Sequence, residues 1–258
     1  MRYIYLVTEG PHDVELIGRL LKPHGFRRVQ QFEKLEPFWR PLVPRDFPHQ
    51  GDLLRRVPVP VFFMAGDCSV AVHVADGVSK LASRVEATLA ILPLEPALDA
   101  VGILLDSDDE KDLVSRHSGL RSRLQGSLTL PDRPGRVSSS VPRTGVYILP
   151  DNVSPGTLED LLLECASQTY PSLLQAADVL VRTAEDNAPE LLPEDLEELR
   201  KPAGRKKATL ASIAAILKPG KTIQTSIQDN RWLDGPTLEL ARIAALRRFL
   251  HELMALAH

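Results

Sequence analysis

The run Val101-Gly-Ile-Leu-Leu-Asp-Ser-Asp-Asp-Glu110 places the strongest constraint on how this chain folds. Five residues without a charge are followed by four acidic ones: Asp106, Asp108, Asp109 and Glu110. A short apolar run predicts a buried strand, and open α/β sheets hold their binding crevices at strand ends. Carboxylates gathered there repel one another unless a cation or a basic partner neutralises them. We interpret the run as a metal site, with a solvated strand end as the alternative.

Strands and helices are predicted to alternate over the first part of the chain. The predicted strands are 3–7, 60–64, 69–74, 100–105 and 145–149, and the predicted helices are about 11–21, 78–92, 110–124 and 158–167. Ala65-Gly-Asp67 favours a hairpin between the second and third strands. Frequent prolines indicate a mainly irregular insertion at about 36–60, and 125–143 is predicted to be a loop. The alternation predicts an α/β domain at 1–170, with a mainly parallel sheet flanked by helices.

Only helices are predicted after Tyr170. The candidates are 173–185, 193–199, 205–217 and 236–256. They indicate a helical C-terminal extension, 171–258, packed on the α/β domain.

Charge is distributed unevenly along the chain although its net value is only -3. Basic residues are frequent between Arg116 and Arg143 and again after Arg200, whereas 185–198 is acidic. Local basic patches of this kind can bind a polyanion in spite of the acidic total, and solvated faces are the alternative. The candidate nucleic-acid contacts are Arg116, Arg121, Arg123, Arg136 and Arg143.

The sequence favours a cytoplasmic protein without a membrane partner. The N-terminal apolar run ends at Val7, and no run approaches the roughly 18 apolar residues that a span requires. Cys68 and Cys165 are far apart and fit neither a disulfide framework nor a metal site. The sequence leaves open whether the chain forms a homodimer or binds a protein partner.

Acidic residues follow three predicted strands. The pairs are Glu9 with Asp13, Asp106 with Asp108, and Glu159 with Asp160. Because parallel strands end at one edge of a sheet, we expect these pairs to converge. Oxygen ligands without histidine or thiolate suit Mg²⁺ or Mn²⁺, which favours phosphoryl transfer or phosphodiester cleavage. For Glu159 and Asp160, stabilisation of a helix N-terminus is an equal alternative.

The motifs Val7-Thr-Glu9-Gly10-x-x-Asp13 and Leu105-Asp106-Ser-Asp108, followed by an acidic helix, resemble the Toprim domain. That domain is shared by type IA topoisomerases, bacterial primases, recombination mediators and nucleases of the OLD (overcoming lysogenization defect) class. The resemblance covers about residues 1–170. The chain resembles a stand-alone Toprim protein, and the resemblance is greatest to OLD-type nuclease domains. The Pro-rich insertion is not part of a minimal Toprim core.

The resemblance implies a role for each acidic position. Glu9 would be a metal ligand or general base, and Asp13 a supporting ligand. Asp106 and Asp108 would hold Mg²⁺, while Glu159, with Asp160 beside it, would help to hold a second ion. A lysine near the scissile phosphate would be Lys206 or Lys207, in Gly204-Arg-Lys-Lys-Ala208, with a solvated helix face as the alternative for both. Such a lysine stabilises charge that develops in the transition state.

Three functional hypotheses follow. The first is a metal-dependent nuclease or phosphotransferase acting on DNA or RNA, and the second is a non-catalytic Toprim module that binds nucleic acid or a protein. The third, less favoured, is a haloacid-dehalogenase-like phosphatase with Asp106 as nucleophile. That motif normally continues with a small hydroxyl residue, where this chain has Asp109-Glu110. We expect His12 and His73 to be structural or exposed.

Overall fold

One mixed sheet organises the chain. A computed structural model describes residues 1–46, 51, 53, 58–108, 112–187 and 190–256. In these residues the strands are β1 (Arg2–Thr8), β2 (Arg27–Val29), β3 (Val61–Ala65), β4 (Cys68–Val74), β5 (Ala100–Asp106) and β6 (Arg143–Leu149). Their order across the sheet is β2-β3-β4-β1-β5-β6. Neighbouring strands from β4 to β6 are parallel, whereas β2 and β3 add an antiparallel edge, with β3 and β4 forming the expected hairpin.

Helices cover both faces of this sheet, as the alternating pattern predicts. They are α1 (Pro11–Leu21), α2 (Leu81–Ile91), α3 (Leu113–Leu124), α4 (Leu158–Thr169), α5 (Pro171–Asn187), α6 (Gly204–Leu217), α7 (Ile223–Asp229) and α8 (Ala241–Met254). One hydrophobic core contains side chains from α1, α4, α6, α7 and α8, and the other contains side chains from α2 and α3. No helix in the described part of the chain is long and apolar enough to cross a membrane.

Strand β1 lies at the centre and belongs to both cores. Ile4 and Leu6 pack into the core on the α1 side, while Tyr3, Tyr5 and Val7 pack into the opposite core. Successive side chains of a strand point to opposite faces, so a strand covered on both sides is apolar throughout. This is why the N-terminal sequence is an apolar run without alternation.

Helix α8 lies directly against the sheet. A Cβ atom at Gly102 in β5 would lie 2.5 Å from Leu253 Cδ2, and one at Gly145 in β6 would lie 2.7 Å from Phe249 Cε2. The two glycines therefore provide the space into which α8 packs. A domain boundary near residue 170 stays a prediction, although the C-terminal helices contribute to the same core as α1.

Several elements differ from the sequence prediction. The helix predicted at 193–199 is wrong, because these residues form turns. Closely spaced acidic side chains there repel one another and weaken a helix. The helix predicted at 236–256 is interrupted at Leu240, whose ψ of 134° is extended. Strand β2 and helix α7 were not predicted.

The Pro-rich insertion is irregular, as expected, in the part that the structure describes. Pro37–Leu42 forms a 3₁₀ helix whose Trp39 is fully buried and donates a hydrogen bond to Ser69 Oγ at 2.9 Å. Residues 47–50, 52 and 54–57 of the insertion lie outside the described residues. The loop at 125–143 runs beside β6, where the Gly135 N–H donates to the Val146 carbonyl at 2.7 Å.

We predict that Gly102→Ala lowers the free energy of unfolding by about 1–3 kcal/mol, the usual cost of overpacking a core. The added methyl group would collide with Leu253 and Leu6. Gly119→Ala, in α3, is the matched control, because no atom lies within 4 Å of its new Cβ. We expect it to be neutral or to stabilise by up to about 1 kcal/mol. Urea denaturation measures both, and equal stability of Gly102→Ala and wild type would contradict the packing of α8.

Candidate functional site

The ends of β1 and β5 bring Glu9 and Asp106 together. Thr8 pairs with Leu104 across the two parallel strands, so the residues that follow lie side by side. The Asp106 N–H points to Glu9 Oε2 at 3.4 Å. Burial and the negative charge of Asp108 raise the pKa of Glu9, while the N–H groups of Asp106 and Val78 and the charge of Arg116 oppose this shift. The edge of the sheet where β1 and β5 end therefore carries Glu9, Asp106 and Asp108, as predicted. We call it the acidic edge.

Asp106 is held at the start of α4. Its Oδ1 accepts a hydrogen bond from the Leu158 N–H at 2.8 Å, a position favoured by the helix dipole. Burial, followed by the charges of Asp13, Glu159 and Glu9, raises the pKa of Asp106 to about 9. The carboxylate thus lies among groups of its own sign with little water to screen them.

Ser107 locks the end of β5 to the loop before α4. It is fully buried, and its Oγ donates to the Gly156 carbonyl at 2.8 Å and accepts from the Gly156 N–H at 2.6 Å. Gly156 has φ of 148°, and a Cβ there would lie 2.8 Å from Asp160 Oδ2. This clamp was not predicted, because a serine between two aspartates carries no sequence signal for burial.

Asp13 and Asp160 have equivalent positions at two helix starts. Asp13 Oδ2 accepts the Gly10 N–H at 2.8 Å, and Asp160 Oδ2 accepts the Thr157 N–H at 2.8 Å. Each aspartate therefore caps the backbone N–H that precedes its helix, Gly10 before α1 and Thr157 before α4. Burial raises the pKa of Asp13 to about 7, and the charges of Glu9 and Glu159 add to this shift. Both residues have a structural role apart from any metal.

Glu159 joins the acidic edge from the first turn of α4. Its side chain is buried, and its charge acts on both Asp13 and Asp106. His12 is partly buried, and burial lowers its pKa, while Glu159 opposes this shift and Lys207 adds to it. His12 is therefore close enough to Glu159 and to Lys207 of α6 to be affected by the charge of each, which the sequence interpretation did not anticipate.

Two acidic side chains already have basic partners. Asp108, which is exposed and has φ of 53°, forms an ion pair with Arg116 at 3.1 Å. Lys206 Nζ lies 2.8 Å from Asp160 Oδ1 and 2.9 Å from Asp160 Oδ2. Lys206 thus reaches the acidic edge from α6, whereas the neighbouring Lys207 is exposed. Of the two predicted lysines, Lys206 contacts a predicted carboxylate, whereas the charge of Lys207 acts on His12.

The predicted arginines do not form one surface. Arg116 and Arg123 line a cavity of about 310 Å³ beside Leu105, together with Ser79 and Ser115. Arg121 lines a different cavity along α3. Arg136 is exposed and lies 3.8 Å from Asp132.

Arg143 lies at the other end of the sheet. It is the first residue of β6, about 20 Å from the acidic edge by strand rise. Its Nε donates to the Leu253 carbonyl at 2.7 Å, so it holds the end of α8. The structure therefore does not bring Arg143 to the carboxylates.

The acidic edge provides the oxygen donors that Mg²⁺ and Mn²⁺ prefer. Burial, together with repulsion between the carboxylates, raises the pKa values of Asp13 and Asp106, and a cation would offset both effects. The donor chemistry therefore fits such an ion. Among the residues described, however, no three acidic, histidine or cysteine side chains form a ready-made metal-binding group. Asp109 and Glu110 lie outside the described residues.

We predict that Asp106→Asn, measured with EDTA, gains stability relative to wild type as the pH rises from about 4 to about 9. A carboxyl group whose pKa is higher in the folded than in the unfolded protein stabilises the fold below its unfolded pKa, near 3.9. That contribution is lost as the pH rises through the folded pKa, here about 9. Asparagine keeps the hydrogen-bond acceptor for Leu158 without the charge. Urea denaturation across this range measures the difference, and a pH-independent difference would contradict the raised pKa. Asp132→Asn, at an exposed carboxylate, is the control.

Comparison with known proteins identifies a family. No curated protein matches the chain. The chain is similar to the crystal structure of a hypothetical protein from Pyrococcus horikoshii OT3, with 17% sequence identity, 98% of this chain and 95% of that chain covered, and a TM-score of 0.49. A family model described as "Protein of unknown function (DUF3226)" matches residues 3–254. Since this match spans nearly the whole chain, the protein belongs to the DUF3226 family.

Proposed function

We propose that the protein is a Toprim-type nuclease or phosphotransferase that depends on Mg²⁺ or Mn²⁺ and acts on phosphodiesters of DNA or RNA. One observation carries the proposal: Glu9 and Asp106 meet at adjacent strand ends, with Glu159 close enough to raise the pKa of Asp106. The order β1-β5-β6 with acids after β1 and β5 supports the Toprim resemblance. Strongly shifted carboxyl groups in this setting are candidates for a functional site.

Glu9, Asp106, Asp108 and Glu159 would hold the ion. Asp13 and Asp160 would support them by fixing the starts of α1 and α4, where they already cap the backbone. When bound, Mg²⁺ or Mn²⁺ supplies charge for the phosphate oxygens and activates water. Because no group of three ligands is ready-made in the described residues, metal binding would draw these side chains together.

Glu9 is the best candidate for the general base. Its raised pKa brings it closer to neutral pH, which favours acceptance of a proton from the attacking water. Its carboxylate lies at the strand end and is only partly buried, so a substrate can approach it. Asp106 is less suited to this role because its Oδ1 is engaged with the Leu158 N–H.

Basic side chains near the acidic edge would bind the substrate. Arg116 and Arg123 line the cavity beside Leu105, where they would hold a phosphate of the nucleic-acid backbone. Lys207 is exposed near His12 and would stabilise charge on the phosphate, and Lys206 would do so if released from Asp160. Arg121 and Arg136 would contribute only to a longer nucleic acid.

A non-catalytic module that binds nucleic acid or a protein partner, including a second copy of the chain, is the alternative. This alternative is favoured because side chains and backbone groups of the protein itself already compensate several of the negative charges. Asp108 is paired with Arg116 and Asp160 with Lys206, and Asp13 caps a helix. These contacts stabilise much of the acidic edge without any metal ion.

We predict that the protein nicks supercoiled plasmid DNA with Mg²⁺ or Mn²⁺, and that Glu9→Gln and Asp106→Asn each lower the rate about 10²–10⁴-fold. This is the usual contribution of a general base, and we expect a similar effect for a metal ligand. Each substitution keeps size and hydrogen bonding but removes the charge. Asp132→Asn is the matched control and should cleave like wild type. Persistence of cleavage in both charge-removing variants would exclude the proposed site.

Calorimetric titration with Mn²⁺ separates the two functions. The nuclease requires binding at millimolar or lower concentration, and this binding should be lost in the Asp106→Asn protein. Absence of any Mn²⁺ binding to wild type, together with absence of cleavage, would favour the non-catalytic module.

A further inference from the structure

A second cavity lies away from the acidic edge. It has a volume of about 460 Å³ and is bounded by the second half of α1, the turn that follows, the β2–β3 edge and α7. Its lining contains four basic and two acidic side chains: Arg19, Lys22, Arg27 and Arg28, against Glu15 and Asp229. Lys22 lies about 14 Å farther along the axis of α1 than Asp13. Glu15 at the near end of the cavity is two residues from Asp13, but the lining does not include the carboxylates of the candidate active site: Glu9, Asp13, Asp106 and Glu159.

Both acidic side chains of this cavity already have basic partners. Glu15 accepts hydrogen bonds from Arg28 at 2.7 Å through each carboxylate oxygen. Asp229 forms an ion pair with Lys218 at 3.0 Å. Lys22 and Arg27 are exposed at the rim, and neither has a carboxylate partner in the described parts of the chain. The cavity therefore has an excess of positive charge.

Arg19 adds a buried positive charge that is only partly balanced. The residue is 8% exposed, and its guanidinium donates to the carbonyls of Gln228 at 3.1 Å and Leu233 at 3.2 Å. Its nearest carboxylate, that of Asp234, lies 3.7 Å away and is 61% exposed. Arg19 Nε is buried without a hydrogen-bond partner among the described residues. The exposed carboxylate of Asp234 compensates this buried charge only in part, so an anion in the cavity would stabilise it further.

Apolar surface lies beside these charges. Phe26 and Phe63 line the cavity, and the Arg28 guanidinium lies 5.6 Å from the centre of the Phe63 ring. Gly18 also lines it, and a Cβ there would lie 2.9 Å from Phe63 Cζ. Few convergent polar groups on an apolar wall are typical of small-molecule sites.

We propose that this cavity binds a small organic anion with a flat apolar body and a phosphate or carboxylate group. Lys22 and Arg27 hold the anionic group at the rim, and the charge of Arg19 attracts it from within. The apolar body lies against Phe26, Phe63 and Gly18. Phosphate and carboxylate each present a pair of anionic oxygens that an arginine can bind in a bidentate manner, so either group fits the rim. This site does not depend on the proposed nuclease function.

We predict that adenosine monophosphate or benzoate binds wild-type protein in calorimetric titration with EDTA at low salt. The tighter of the two serves as the probe for the variants. The double variant Lys22→Ala/Arg27→Ala should bind the tighter probe at least about 10-fold more weakly, because two charge-assisted contacts are lost. Lys34→Ala/Lys221→Ala removes two exposed charges elsewhere and should bind like wild type. Uncharged adenosine should bind more weakly than its monophosphate.

Three results would overturn this proposal. They are unchanged affinity in the Lys22→Ala/Arg27→Ala protein, equal affinity for adenosine and its monophosphate, and absence of binding of both anions at millimolar concentration. Circular dichroism verifies that the variants are folded. The same titration with Glu9→Gln protein should give wild-type affinity, and a gain there would place the probe at the acidic edge instead, because removal of a negative charge favours an anion. Failure of the nuclease assay leaves this result unaffected.

Discussion

The parallel pairing of β5 with β1 on one side and β6 on the other brings Glu9 and Asp106 to one edge of the sheet, and the rest of the candidate site is built around them. Parallel strands end at the same edge, so residues that are nearly a hundred positions apart become neighbours. The Ser107 clamp then attaches the start of α4 to the end of β5. Glu159 reaches the same edge only because this attachment sets where α4 begins.

The carboxylates of the acidic edge repel one another, and contacts within the fold compensate this repulsion in part. Backbone N–H groups at the starts of helices donate hydrogen bonds to Asp13, Asp106 and Asp160. Arg116 forms an ion pair with Asp108, and Lys206 forms one with Asp160. Glu9 and Glu159 add further negative charge, which raises the pKa values of Asp13 and Asp106. The same arrangement therefore suits either a bound cation or a set of internal ion pairs, and only metal binding distinguishes the two.

The C-terminal helices complete both the core and the site. Helix α8 packs on β5 and β6 where Gly102 and Gly145 leave space, and Arg143 holds the end of that helix. Helix α6 carries Lys206 to Asp160 and sets Lys207 near His12. Helix α7 forms one wall of the basic cavity and supplies the Gln228 carbonyl that holds Arg19. These helices thus serve the acidic edge and the basic cavity together.

The sequence by itself was sufficient to predict most of the longer strands and helices and the acidic edge. Apolar runs predicted five of the strands, and the parallel arrangement predicted that Glu9, Asp106 and Glu159 converge. Strand β2, with three residues, and α7, with seven, are too short for a periodic signal. Only the tertiary structure showed that Arg116 lies at the acidic edge while Arg143 lies at the opposite end of the sheet. A count of charges along the chain does not reveal such positions. The tertiary structure also assigned Asp13 and Asp160 to helix caps, buried Ser107, and assembled the basic cavity from α1, β2, β3 and α7. Such features depend on contacts between distant segments, which no local pattern encodes.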